Sequence, residues 1–189
     1  MERFDDEDPG WRSAGHVRRS LLVPGTAAGA AQDVPDGLVV VRRLFVVFAL
    51  GLVLMGVPVA ILAASGGAPA GSSAAPGLAL VLVGSLVQIV ASRVIRLPLD
   101  GRDAQALASS YRNRFFVRLA LAEVSPLLGF VASILSGRAW LYAVGVAIAA
   151  FGFAEIAPTA RKLAADQDDL NNRGCGLSLV WALRRPSGT

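Results

Sequence analysis

Four long apolar blocks, separated by shorter polar stretches, dominate the pattern of hydrophobic and polar positions along the chain. The first, 44–64, reads LFVVFALGLVLMGVPVAILAA and carries no charge. The second, 78–95, is LALVLVGSLVQIVASRVI, with Gln88 inside it and Arg93 near its end. The third, 115–135, is FFVRLALAEVSPLLGFVASIL, and the fourth, 140–158, is WLYAVGVAIAAFGFAEIAP. Apolar runs of about 17–25 residues match the hydrocarbon thickness of a bilayer, so the pattern predicts four transmembrane helices. Gly51, Gly56 and Pro58 predict a bend in the first, because proline has no N–H for the carbonyl four residues back. The turn SGRA, 136–139, is too short for anything but an antiparallel hairpin of the third and fourth spans. In the connector 96–114, Asp100 or Asp103 is placed to cap a helix that runs straight into the third span.

The flanks look different. Residues 1–42 mix acidic clusters with Gly and Pro and show no sustained period, which predicts a disordered cytoplasmic arm. Arg18-Arg19 precedes only a three-residue apolar core, 21–23, too short for an export signal. Residues 159–189 read as a cytoplasmic amphipathic tail that closes one helix at Gly174. Its last part, LSLVWALRR, is expected to lie at the membrane interface. The predicted fold class is therefore all-α, a polytopic membrane protein of four transmembrane helices in two hairpins.

Composition sharpens this. The chain is 54% hydrophobic and 17% charged, against about 45–50% and about 25% for ordinary soluble domains. The net charge of +4 is distributed by topology. Arg3, Arg12, Arg18, Arg19, Arg42 and Arg43 precede the first span, and Arg96, Arg102, Arg112 and Arg114 fill the connector. Arg161, Lys162, Arg173, Arg184 and Arg185 follow the fourth span, whereas the other two loops hold only Arg138. The positive-inside rule then places both termini and the connector in the cytoplasm. Arginine almost to the exclusion of lysine, with abundant Ala, Gly and Val, points to a high-GC bacterium and hence to a bacterial cytoplasmic (plasma) membrane. No compact basic face with aromatics lies outside the membrane borders, so no nucleic acid is expected.

Candidate chemistry is sparse. One cysteine, Cys175, excludes an internal disulfide, and His16 is the only histidine, so no Cys/His metal site can be assembled. There is no Ser/His/Asp set and no phosphate-cradling Gly-rich loop with Lys. An enzyme, a metal and a cofactor are not expected. What stands out is four polar side chains within the spans: Gln88, Arg118, Glu123 and Glu155. At ~1.5 Å of rise per residue, Glu123 is about 12 Å from the cytoplasmic border, Gln88 about 7 Å and Glu155 about 5 Å. Arg118 matches Glu155 in depth, which predicts an ion pair across the hairpin. Glu123 has no basic residue at its level, so it is expected to be protonated and hydrogen-bonded, with Gln88 as the candidate partner, or to face a wet cavity. Buried ionisable groups of this kind are candidates for an ion or polar site.

Small residues define packing faces. Ala122, Ser125, Gly129, Ala132 and Ser136 form one stripe of the third span. In the fourth, Ala143, Ala147, Ala150, Ala154 and Ala157 form another, with Gly145, Ala149 and Gly152 on a separate side. Such stripes let membrane helices approach closely.

Leu119, Ala120, Glu123, Leu128, Gly129 and Val131 resemble the proton-carrying helix of the F-type ATP synthase c subunit. The resemblance covers about 20 residues and implies that Glu123 would be an ion-binding carboxylate. The second span lacks the glycine-every-second-residue stretch of that family's first helix. The whole chain is similar to four-span membrane proteins of actinobacteria, a likeness that implies no mechanism. Two functions follow as expectations. The first is a non-enzymatic membrane subunit or scaffold, held by the lipid bilayer. It would meet other membrane proteins or its own copies through the small faces, and cytoplasmic partners or anionic lipid through the basic segments. The second is a small proton- or ion-coupled transporter or proteolipid-like subunit using Glu123.

Overall fold

The computed structural model describes residues 11, 36–66, 73–95 and 97–184. Most of the arm, including His16 and Arg18-Arg19, lies outside the described residues, as does Arg185. Among the described residues six helices follow in order: α1 Gly37–Ala64, α2 Ala75–Val94, α3 Ala104–Ser136, α4 Trp140–Ile156, α5 Ala160–Asn172 and α6 Leu179–Arg184. Among the described residues there is no strand. The protein is all-α. α1, α2 and α3 are long and apolar enough to cross a membrane, and a fourth span is reached if α4 and α5 together count as one broken span. With 17 residues, α4 alone is at the short limit of about 17–25 residues for a span.

The helix starts have local causes. Asp36 Oδ1 accepts the Leu38 N–H at 3.0 Å, so the carboxylate caps α1 and satisfies one of the donors that a helix start leaves open. α1 consequently begins at Gly37, inside the segment expected to be disordered. Asp103 Oδ1 accepts from Ala106 N at 2.7 Å and starts α3. From there α3 runs unbroken for 33 residues, through the connector into the span, with Pro126 inside it. α1 likewise carries Pro58 within an unbroken helix.

The chain divides into two compact units, one of Met1–Val46, Pro98–Asn113 and Ala157–Thr189, the other of Val47–Leu97 and Arg114–Ile156. In the first unit Leu107, Leu163, Leu170 and Leu179 are buried, as are Leu38 and Val41 at the apolar start of α1. α6 is docked here: Arg184 Nε donates to Asp36 Oδ2 at 2.9 Å, and the Leu183 carbonyl occupies the space that a side chain at Gly37 would need. Gln167 ties this segment down by accepting from Leu179 N at 2.6 Å and donating to the Leu177 carbonyl at 3.0 Å. The tail helix thus buries Leu179, Ala182 and Leu183 within the protein. A helix lying on lipid by its apolar face, as expected from sequence, would have left those residues outside.

The second unit has an inverted surface pattern. Large apolar side chains of α1 and α2, such as Val53, Ile61, Leu86 and Val87, are exposed. Inside, small and polar residues join a little apolar core of Val81, Ala132 and Leu141: Gly77, Val81, Gly84, Ser85 and Gln88 share one face of α2. A soluble protein does not leave apolar faces of this extent bare, whereas hydrocarbon makes them the favourable exterior.

Candidate functional site

The polar groups of the second unit fall into three places. The first is a set of ties between helices. Ser125 Oγ donates to Gln88 Oε1 at 2.6 Å and lies 3.2 Å from Ser85 Oγ. Ser85 spends its own proton on the Val81 carbonyl. All three residues are at least nine-tenths buried, so the ties are sequestered from competing water. Ser133 joins the hairpin: its Oγ donates to the Gly129 carbonyl at 2.8 Å and accepts from Tyr142 N at 2.9 Å, satisfying a donor at the start of α4. Tyr142 Oη in turn donates to the Leu52 carbonyl of α1.

Glycines permit the close approach these bonds require. A Cβ at Gly145 would sit 2.6 Å from the Ser125 carbonyl oxygen, and one at Gly129 would sit 2.9 Å from that of Leu141. Between α2 and α3, the place of a Cβ at Gly84 is taken by the end of Leu128. The stripe foreseen on the third span is therefore the packing face, with Ala122, Ser125, Gly129 and Ala132 all buried. On the fourth, the two small faces part company within the chain. Ala147, Ala150 and Ala154 are exposed, and the face that packs within the chain is Tyr142, Gly145, Ala149 and Phe153. Both faces are small, so residue size alone did not separate them; the glycines, which admit backbone contact, decide it.

The second place is a cleft of about 600 Å³ lined by Gln88, Ser92 and Arg93 of α2, Arg118 and Ala122 of α3, and Gly152 and Glu155 of α4, with apolar walls that include Ile89 and Phe151. Gln88 reaches it with its amide nitrogen, which stands 2.9 Å from the position of a Cβ at Gly152. Arg118 and Glu155 do share a site, as their depths suggested, and neither is without a partner.

The third place holds Glu123 alone. It lines a separate recess of about 300 Å³ with Val47, Phe48, Gly51, Leu52 and Met55. Gln88 is not its hydrogen-bond partner: it lines the other cavity and no hydrogen bond joins the two side chains. Their placement has a simple cause: Ala122 faces Gly152 of α4 and Ser125 faces Gln88 of α2, and position 123, about 100° around the helix from 122, points away from both.

No family model, no curated protein and no solved structure matches the chain.

Outside the spans, several arginines counted by the charge pattern are engaged within the first unit. Arg42 is fully buried, donates from Nε and Nη2 to the Pro158 carbonyl at 3.3 Å each, and stacks its guanidinium 5.3 Å from the Trp11 ring centre. Arg184 is held by Asp36, and Arg173 by Asp169. Arg102 pairs with Asp100, whose carboxyl is held below its ordinary value first by the Arg102 side-chain hydrogen bond and then by the Arg102 backbone N–H. Cys175 packs on Gly101, its Sγ 2.5 Å from the position of a Cβ there. Among the described residues no group of His, Cys, Asp and Glu is clustered to hold a metal ion.

Proposed function

We propose that this chain is a non-enzymatic subunit or scaffold of a bacterial cytoplasmic membrane, with both termini and the connector on the cytoplasmic side. The observation that supports it best is the separation of Glu123 from Gln88, Arg118 and Glu155, which line a different cavity. A proton or ion relay needs polar groups in succession, and here the buried ones are spent on tying helices together. The glycine contacts between α3 and α4 favour a rigid bundle. The exposed alanine stripe of α4 and the basic residues of the connector and tail are the surfaces offered to other membrane proteins, further copies or anionic lipid.

One observation keeps a second reading, a proteolipid-like or ion-coupled subunit. Glu123 makes no hydrogen bond or ion pair to another described residue, and a lone intramembrane carboxyl is costly unless it is used. The mass of the protein component in mild detergent, measured by light scattering, separates the two. The scaffold reading expects a monomer, a dimer or a small hetero-complex. A ring of many copies would overturn it.

A further inference from the structure

We infer that the α2–α3–α4 cleft is a binding site for one phospholipid with a single anionic phosphodiester and an uncharged headgroup. Three independent features of the cleft converge on that chemistry.

The first is charge. Arg93, Arg118 and Glu155 are the charged side chains of the lining; two guanidiniums against one carboxylate leave one positive charge in excess. Arg93 is exposed and makes no hydrogen bond or ion pair to another described residue, so it is the group available to a phosphate, which guanidinium grips with paired donors. A zwitterionic headgroup would leave the excess charge uncompensated.

The second is the Gln88 amide. The residue is 6% exposed, its Oε1 is taken by Ser125, and its nitrogen reaches the cleft without a hydrogen-bond acceptor among the described residues. An amide donor open to the cleft pairs with the oxygens of a glycerol-type headgroup or of the phosphate. The Ser92 hydroxyl gives its proton to the Ile89 carbonyl at 2.8 Å, so towards the cleft it acts as an acceptor for a headgroup hydroxyl.

The third is the level of these groups. Arg93 is the last residue but one of α2, and Glu155 the last but one of α4. These two charges therefore lie at helix ends, at headgroup depth for a spanning bundle, with Arg118 of α3 in the same cleft. Ile89 and Ile148 lie about 6 Å and about 10 Å deeper by the rise of a helix, and with the exposed Phe151 they form an apolar wall along which an acyl chain can run. A free phosphate would use the charged end and leave this wall unfilled.

The inference rests on the membrane-spanning reading but not on the choice between scaffold and ion-coupled subunit. The test is native mass spectrometry of the full chain released from micelles doped with phosphatidylglycerol or phosphatidylcholine. One phosphatidylglycerol per chain is expected, retained at least about tenfold over phosphatidylcholine, the factor of a single charge-assisted contact. Arg93→Gln, a change at an exposed side chain, removes that preference, whereas Arg161→Gln on the exposed face of α5 leaves it intact. Glycerol phosphate in excess does not displace the lipid. Equal retention of the two lipids would overturn the inference, as would an unchanged preference in Arg93→Gln. An equal loss in Arg161→Gln would show diffuse charge instead of a site, and displacement by glycerol phosphate would show a site for free phosphate; either also defeats it.

Discussion

Replacing Gly145 by alanine adds one methyl group at the point where α3 and α4 touch backbone to backbone. That methyl would stand 2.6 Å from the Ser125 carbonyl oxygen and 3.0 Å from Pro126 Cα, against 3.4 Å for ordinary contact. All the atoms it meets are main chain, so no side chain can rotate away, and the helices must part by about 0.8 Å at that level. A gap of about 0.5–1 Å forfeits a quarter to a half of each dispersion contact it opens. It also stretches the Ser133–Tyr142 bond that closes the hairpin. Overpacking of this kind costs about 1–3 kcal/mol, and the gain from replacing a helical glycine returns about 0.5–1 kcal/mol. The expected net effect is a loss of about 1–2 kcal/mol. The control is Gly51→Ala in α1, where an added Cβ meets nothing within 4 Å and only the favourable term remains. Unfolding by added SDS in mixed micelles, followed by far-ultraviolet circular dichroism, should therefore move in opposite directions for the two variants. Coincident transitions would refute the backbone contact between α3 and α4.

The ties outside that contact carry their own consequences. Asp36→Ala removes both the α1 cap and the carboxylate that holds Arg184, and thermal unfolding should record a loss of about 1 kcal/mol, the usual worth of a cap; an unchanged midpoint contradicts it. Tyr142→Phe removes the hydroxyl bonded to the Leu52 carbonyl, with an expected loss of about 0.6 kcal/mol and at most about 1.7 kcal/mol, the range for such bonds in membrane bundles. The Asp100 carboxyl should titrate below its ordinary value by carbon-detected NMR, and Arg102→Gln should bring it back up. Because the folded value is the lower one, its contribution to stability is present above the unfolded carboxylate range and fades as pH falls through the folded value. A variant that titrates like the native protein would remove Arg102 as the cause.

The sequence made the membrane helices legible because hydrophobic length is a one-dimensional property, and blocks at 44–64, 78–95 and 115–135 recur as α1, α2 and α3 with shifts only at their ends. The Asp103 cap was legible for the same reason, since a cap acts within three residues. The early start of α1 was not, because Leu38, Val41 and Arg42 are ordered by partners far along the chain: Arg42 finds its acceptor at Pro158. Helix faces were half legible. The α3 stripe carries Ser125 and Gly129 and packs as expected, but on α4 two small faces compete, and only the positions of Ser125 and Pro126 on α3 select Gly145 over Ala147. The α2 face of Gly77, Gly84, Ser85 and Gln88 went unread, although its spacing of seven, one and three marks a single helical side. Depth along the bilayer brought Arg118 and Glu155 together; angle around the helix, which depth ignores, sent Glu123 elsewhere.

The separation of Glu123 from the other polar groups is tested most directly by proton flux into vesicles containing the purified chain, under an imposed potential and with a pH-sensitive dye inside. The account predicts that native protein and Glu123→Gln admit protons no faster than protein-free vesicles. A flux in the native protein that disappears in Glu123→Gln would contradict it.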